Sequence, residues 1–257
     1  ELLMPSPWAG VRSFCGLAQT TEFYRSILHT LLRVAAGFAA GMAAGLLAGT
    51  LTAFSRAADV LLTPLKNIIK ATPVTSFIVL ILLYFSSNVT PSAVAFLAVL
   101  PICWSNVCEG LRQTDKKMTE LAHAYAFGRK KTLREIYFPA VCPYLSAAAT
   151  TGLGFAWKSC VAAEVIALSK NSVGRALYES KLYLETAELF AWTASVVLIS
   201  VLFEKLLVHK LFKNRNTEGA AGRRSESLEH GHASCEAELQ YKSDAYAECG
   251  RDEERNI

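Results

Sequence analysis

The chain lacks the marks of several enzyme classes. It has no Gly-x4-Gly-Lys-Ser/Thr loop to cradle nucleotide phosphates, so it is not expected to hydrolyse ATP itself. No HExxH zinc signature and no GxSxG nucleophile turn occur either. Its seven cysteines (Cys15, Cys103, Cys108, Cys142, Cys160, Cys235 and Cys249) contain no CxxC pair, and an odd number cannot all pair internally. They read as free thiols, several behaving as small hydrophobes, with no metal or redox role. Charge is also sparse. Asp, Glu, Lys and Arg make up 19% of residues, against roughly 25% in soluble domains.

What the chain has instead is long apolar blocks, which argue for a bilayer rather than an aqueous core. Residues 34–54 run 21 positions without a charge, close to the roughly 20 needed to cross. A polar connection with an amphipathic stretch at 60–69 follows. A second, short span at 74–84 opens at Thr72-Pro73 and reaches back to Ala71 at most. The third span is 92–108, with Pro101 inside it. A fourth block runs from Pro139 to Leu168, interrupted by Lys158 and Glu164, and a fifth covers 189–208. The fold class expected is an all-α integral membrane protein with about five transmembrane helices.

Three regions follow. Residues 1–33 form an extracytoplasmic or interfacial N-terminal segment, with 22–33 helical and leading into the membrane. Residues 34–212 form the membrane domain. Residues 213–257 form a polar tail, expected to be disordered because it cannot bury enough apolar surface to fold. Its His230, His232 and Cys235 are better read as chance composition than as a metal site.

The charge is unevenly placed. Residues 1–215 hold 21 Lys/Arg against 12 Asp/Glu, whereas residues 216–257 hold 5 against 10. Loops after the first, third and fifth spans carry 14 Lys/Arg and the opposite loops carry six. The positive-inside rule puts the 14, and with them the C-terminus, in the cytoplasm. The N-terminus then lies outside. The chain begins on Glu1 rather than Met, so a sixth membrane helix is expected before it in the intact product.

Gly37, Gly41, Gly45 and Gly49 recur every four residues, which places them in one stripe. Such a stripe lets a second helix backbone approach closely, as ordinary packing or as a sliding surface. The inner loop, residues 109–139, contains ELAHAYAFGRKKTLREIYFP over 120–139. Residues 118–127 should be helical. Gly128 permits a positive φ and a sharp turn, Thr132 is a plausible N-cap for a second helix, and Pro139 marks entry to the next span. Topogenic charge alone does not explain Ala122, Ala124, Tyr125 and Phe127 on such a loop. An apolar helix face there implies a docking partner.

This loop resembles that of permease subunits of ATP-binding-cassette importers, in which Glu-Ala-Ala, three variable residues and Gly lead into an aliphatic-x-Leu-Pro run. Gly128, Ile136 and Pro139 match. Ala122, His123 and Ala124 fall on Glu-Ala-Ala, Phe138 replaces Leu, and Glu120 sits two residues early. LMPSP (3–7), ATPVTS (71–76), Trp157-Lys158 with EVI (164–166), YLET (183–186) and LFAW (189–192) resemble the nitrate/sulfonate/taurine-type branch. The likeness spans roughly residues 3–212.

The resemblance implies a type I importer permease fold in the bacterial inner membrane and a cytoplasmic coupling helix built on Glu120, Ala122, Ala124, Tyr125, Phe127, Gly128 and Pro139. It also implies a partner ATPase that binds ATP and Mg, a second permease copy forming a homodimer, an extracytoplasmic solute-binding protein and surrounding lipid, with no nucleic acid. No cofactor is expected in this chain itself. For a small anionic solute, Lys158, Glu164, Thr72 and Pro73 are the pathway candidates. Lys158 and Glu164 can also be read as outer-interface residues beside a Trp157 anchor, and Pro73 as a plain helix start. A membrane-embedded enzyme or a scaffold without transport is the alternative function.

Overall fold

The computed structural model describes residues 6–114, 118, 120, 122, 124, 125, 127–203 and 205. Among these, all regular structure is helical. The expectations placed on residues 1–5, His123 and the tail lie outside the described residues. α1 (Pro7–Leu17) opens on proline, whose missing N–H is free of cost in a first turn. There follow α2 (Thr21–Phe54), α3 (Arg56–Ala71), α4 (Val74–Tyr84) and α5 (Thr90–Arg112). After the loop come α6 (Arg129–Thr132), a π-helical turn (Leu133–Tyr137), α7 (Phe138–Ala167), α8 (Val173–Leu182) and α9 (Thr186–Phe203).

Among the described residues, three helices are long and apolar enough to cross a membrane: α2, α5 and α9. α3 and α4 add a fourth crossing if taken together, although they are bent by 103° at Thr72-Pro73. α7 is 30 residues long and carries the apolar block that contains Lys158 and Glu164. The boundary drawn at 33/34 from charge falls inside α2, which runs 34 residues without interruption. Arg33 does not end a segment there, because its guanidinium has a buried partner within the bundle.

α2 and α5 pack side by side along the glycine stripe, and they run parallel. Gly37, Gly41, Gly45 and Gly49 meet Ala95, Val99, Cys103 and Val107 in the same order along both helices. A Cβ added at Gly45 would lie 2.6 Å from Cys103 Cβ, and one at Gly41 or Gly49 would lie 2.9 Å from the facing valine Cβ. Only glycine allows this spacing. Parallel neighbours require the chain to cross back between them, and α3 with α4 makes that crossing. Asp59 in α3 pairs with Arg112 at the end of α5, whereas Ile78 in α4 packs on Val94 near its start.

α7 returns antiparallel to α5 and completes the core. Val34, Ala95, Val99, Ala156, Trp157, Cys160 and Val161 form one buried cluster drawn from α2, α5 and α7. Trp157 is 1% exposed and donates its indole N–H to the Val196 carbonyl of α9 at 3.3 Å. It is therefore a core residue and not an interfacial anchor, and α7 continues past it for ten residues to Ala167.

Candidate functional site

The loop between α5 and α7 presents apolar side chains to its surroundings. Tyr125 is 71% exposed, Met118 and Leu133 are exposed, and Ala124 and Glu120 are exposed beside them. Ala122 turns inward and is buried. Phe127 is exposed and carries the Lys131 ammonium 4.2 Å above its ring. The Phe127 N–H donates to the Ala122 carbonyl at 2.9 Å, closing the turn.

Two local expectations are corrected here. Gly128 has no positive φ, and a Cβ there would meet nothing within 4 Å. The turn is closed by the backbone bond from Phe127, so glycine's conformational freedom is not used. Thr132 is no N-cap either. It lies within helical backbone, and the Gly128 carbonyl accepts from Lys131 and Thr132 N–H to start α6. Pro139, in the first turn of α7, lacks an N–H for the carbonyl one turn back. The helix widens just before it, with the Phe138 N–H reaching the Leu133 carbonyl.

Both ends of the loop are fastened together. Tyr144 of α7 donates its hydroxyl to Gln113 Oε1, and Gln113 Nε2 donates to Glu109 Oε1 at 2.6 Å. The Tyr144 ring lies so close to Gly110 that a Cβ would sit 2.8 Å from it. Arg112, next in line, pairs with Asp59 at 2.7 Å, and the Thr63 hydroxyl donates to the other Asp59 oxygen at 2.9 Å. The loop thus stands on α5 and α7 and is tied to α3.

At the opposite end of the bundle the structure separates Lys158 from Glu164. Glu164 has no exposed surface, and its carboxylate accepts from Arg33 Nη1 at 2.9 Å, from the Thr30 hydroxyl at 2.9 Å and from the Gly174 N–H at 3.3 Å. Arg33 also donates to the Lys170 carbonyl at 2.9 Å, and the Ser169 hydroxyl donates to the Ser87 carbonyl at 2.6 Å. These bonds join α2, α7, the start of α8 and the turn before α5. With every side of the carboxylate taken by the chain itself, Glu164 is a clasp and not a pathway-facing group. Arg33 comes from a position 131 residues away, and no sequence spacing announces that pairing.

Lys158 is exposed, two turns along the same face of α7 as Thr151. Thr72 and Pro73 sit at the break between α3 and α4; Thr72 borders a cavity of ≈ 330 Å³, and Pro73 is not part of its lining. Thr72, Lys70, Val74, Phe77, Pro101 and Thr151 are among its lining residues. The charge count treats Lys70 as a loop cation, but α3 carries it to the cavity wall. A cation next to Thr72-Pro73 is the signal that sequence reading passed over. A larger cavity, ≈ 490 Å³ between α1 and α9, is walled by groups such as Phe14, Phe190 and Leu198, and Ser6 is its one hydroxyl.

Comparison with known proteins places this geometry. Residues 41–210 match the family model described as binding-protein-dependent transport system inner membrane component. The permease protein SsuC of Bacillus subtilis (strain 168), named for aliphatic sulfonates transport, is 27% identical over 220 residues, covering 84% of this chain and 79% of that protein. The riboflavin transport system permease protein RibX of Chloroflexus aurantiacus is 30% identical over 214 residues, covering 80% of each. Among solved structures, an amino acid ABC transporter crystallised with histidines superposes with a TM-score of 0.65 at 15% identity, covering 82% of this chain and all of that one. That last likeness shows a shared fold.

Proposed function

The chain belongs to the family of binding-protein-dependent transport system inner membrane components, and from that premise we propose that it is the permease subunit of an ATP-driven importer for a small anionic solute. It is a multi-pass membrane protein. The loop Lys and Arg residues set its loop end and C-terminus in the cytoplasm. ATP and Mg are bound by a separate ATPase, a second permease copy completes the pathway, and an extracytoplasmic binding protein delivers the solute.

One observation carries the coupling role: Tyr125 and Phe127 stand exposed on a loop whose two ends are fastened by the Tyr144–Gln113–Glu109 chain. ATP binding can drive a conformational change only through contacts that differ between two states, so the docking element has to be rigidly mounted. The anionic solute accords with the naming of SsuC for sulfonates and with a cation on the wall of the cavity at the α3–α4 break.

The test is co-purification with the partner ATPase. Tyr125→Asp and Phe127→Asp should each abolish association, and Tyr125→Phe should keep it. Full association in both aspartate variants would defeat the docking role. ATP-driven solute uptake into proteoliposomes separates a permease from a scaffold or membrane enzyme.

A further inference from the structure

We propose that the cavity at the α3–α4 break is a transit site for a small organic anion, with the Lys70 ammonium holding the charged head and the apolar walls taking a short tail. The proposal rests on the permease reading above and assigns that pathway a place and a chemistry.

The cavity lies part-way along the bundle and opens at its surface, where Lys70, Thr151 and Phe155 are exposed. Its α7 wall is Thr151 and Phe155, which flank the centre of a 30-residue helix. Its α5 wall includes Val94 and Pro101, in the half of that helix that faces α4. Its volume, ≈ 330 Å³, falls at the small end of the roughly 300–1,000 Å³ range of ligand sites. Membrane transporters place solutes at such interruptions of spanning helices, where irregular backbone is tolerated because it lines a cavity.

Lys70 is the one charged residue on that wall among the described residues, and no carboxylate lines the cavity with it. It takes part in no ion pair among them. The contrast with its neighbour one turn earlier is informative. Lys66 lies 5.7 Å from the centre of the Trp104 ring, a stacking that offsets its charge. Lys70 has no such partner. Lys70 is exposed at the cavity mouth, and an ammonium with no carboxylate partner there is left to meet an anion.

The two hydroxyls nearby sharpen the selectivity. Thr72 donates to the Ile68 carbonyl at 2.8 Å and Thr151 donates to the Ala147 carbonyl at 3.0 Å. Each hydroxyl hydrogen is therefore used by its own helix, leaving only lone pairs toward the cavity. Among the lining side chains, the ammonium is then the donor available to an oxyanion. The remaining wall, with Phe77, Leu97 and Phe155, offers apolar surface to a tail. A small inorganic anion would leave that surface unused, and a cation would be repelled.

The experiment uses the full-length chain in its complex with the ATPase, in nanodiscs and without binding protein. Calorimetric titration with butanesulfonate is compared with sulfate and butylammonium. Butanesulfonate should bind at least tenfold more tightly than sulfate, and butylammonium should not bind. Lys70→Gln should weaken butanesulfonate at least tenfold, whereas Lys70→Arg should stay within threefold. Ala98→Leu, which fills the cavity from α5, should weaken butanesulfonate more than sulfate and provides a second reading if Lys70→Gln does not fold. Unchanged binding in Lys70→Gln, or equal binding of all three probes, overturns the site. A complex that forms and transports while Lys70→Gln binds normally sinks this inference alone. A chain that neither joins the ATPase nor transports sinks the permease reading.

Discussion

α2 and the α3–α4 pair lie against the same helix, α5, and meet it in opposite ways. α2 presents four glycines to Ala95, Val99, Cys103 and Val107, leaving no room for a single added carbon. α3 contributes no fully buried residue, bends by 103° into α4, and leaves a cavity at the joint. Their ion pairs differ in the same sense. Arg33–Glu164 is buried, with side-chain exposures of 14% and 0%, whereas Arg112–Asp59 is open to its surroundings at 50% and 36%. Close packing with satisfied buried charge makes a rigid seam, and sparse packing at a helix break makes a part that can rearrange. A transporter needs both, because a moving element must move against something fixed.

The largest effect should come from the buried clasp. Arg33→Leu strands the Glu164 carboxylate and should cost about 3–5 kcal/mol in thermal unfolding of the nanodisc protein. The double variant with Glu164→Leu should recover part of the loss. If the single variant unfolds like wild type, the seam is not sealed as described. Next comes the seam itself. Gly45→Leu should cost about 3 kcal/mol or prevent folding, since its Cβ alone would lie 2.6 Å from Cys103. Gly154→Ala, whose added Cβ meets nothing within 4 Å, should cause no loss of stability.

Smaller effects belong to the open side. Asp59→Asn should cost less than about 1 kcal/mol in the same unfolding measurement, because an exposed pair contributes little. A loss as large as that of Arg33→Leu would erase the contrast between the two pairs. Gly128→Ala should cause no loss of stability and should preserve ATPase association, since its φ is negative and its surroundings are open. Loss of association in Gly128→Ala would restore a conformational role to that glycine.

Features written in local periodicity were legible. The four-residue glycine stripe, the apolar blocks of α2, α5 and α9, and the exposed aromatic residues of the loop could all be read from spacing and composition. Each depends on residues within a few turns of one another. Local rules misread Gly128 and Thr132, where a turn closed by the Phe127 N–H replaced the expected left-handed glycine and N-cap. They left Trp157 open, since a Trp before a lysine looks like an interface marker whether or not the helix continues.

The sequence by itself determined that the chain is helical and membrane-embedded, which face of α2 is packed, and where the loop with the exposed aromatic residues lies, because hydropathy and helical period act over short range. Only the tertiary structure decided that Glu164 belongs to Arg33, that α2 and α5 run parallel with a bent crossing between them, and that Lys70 borders a cavity. Those outcomes depend on which helices meet, and a charge in an apolar sequence does not reveal the partner that folding brings to it.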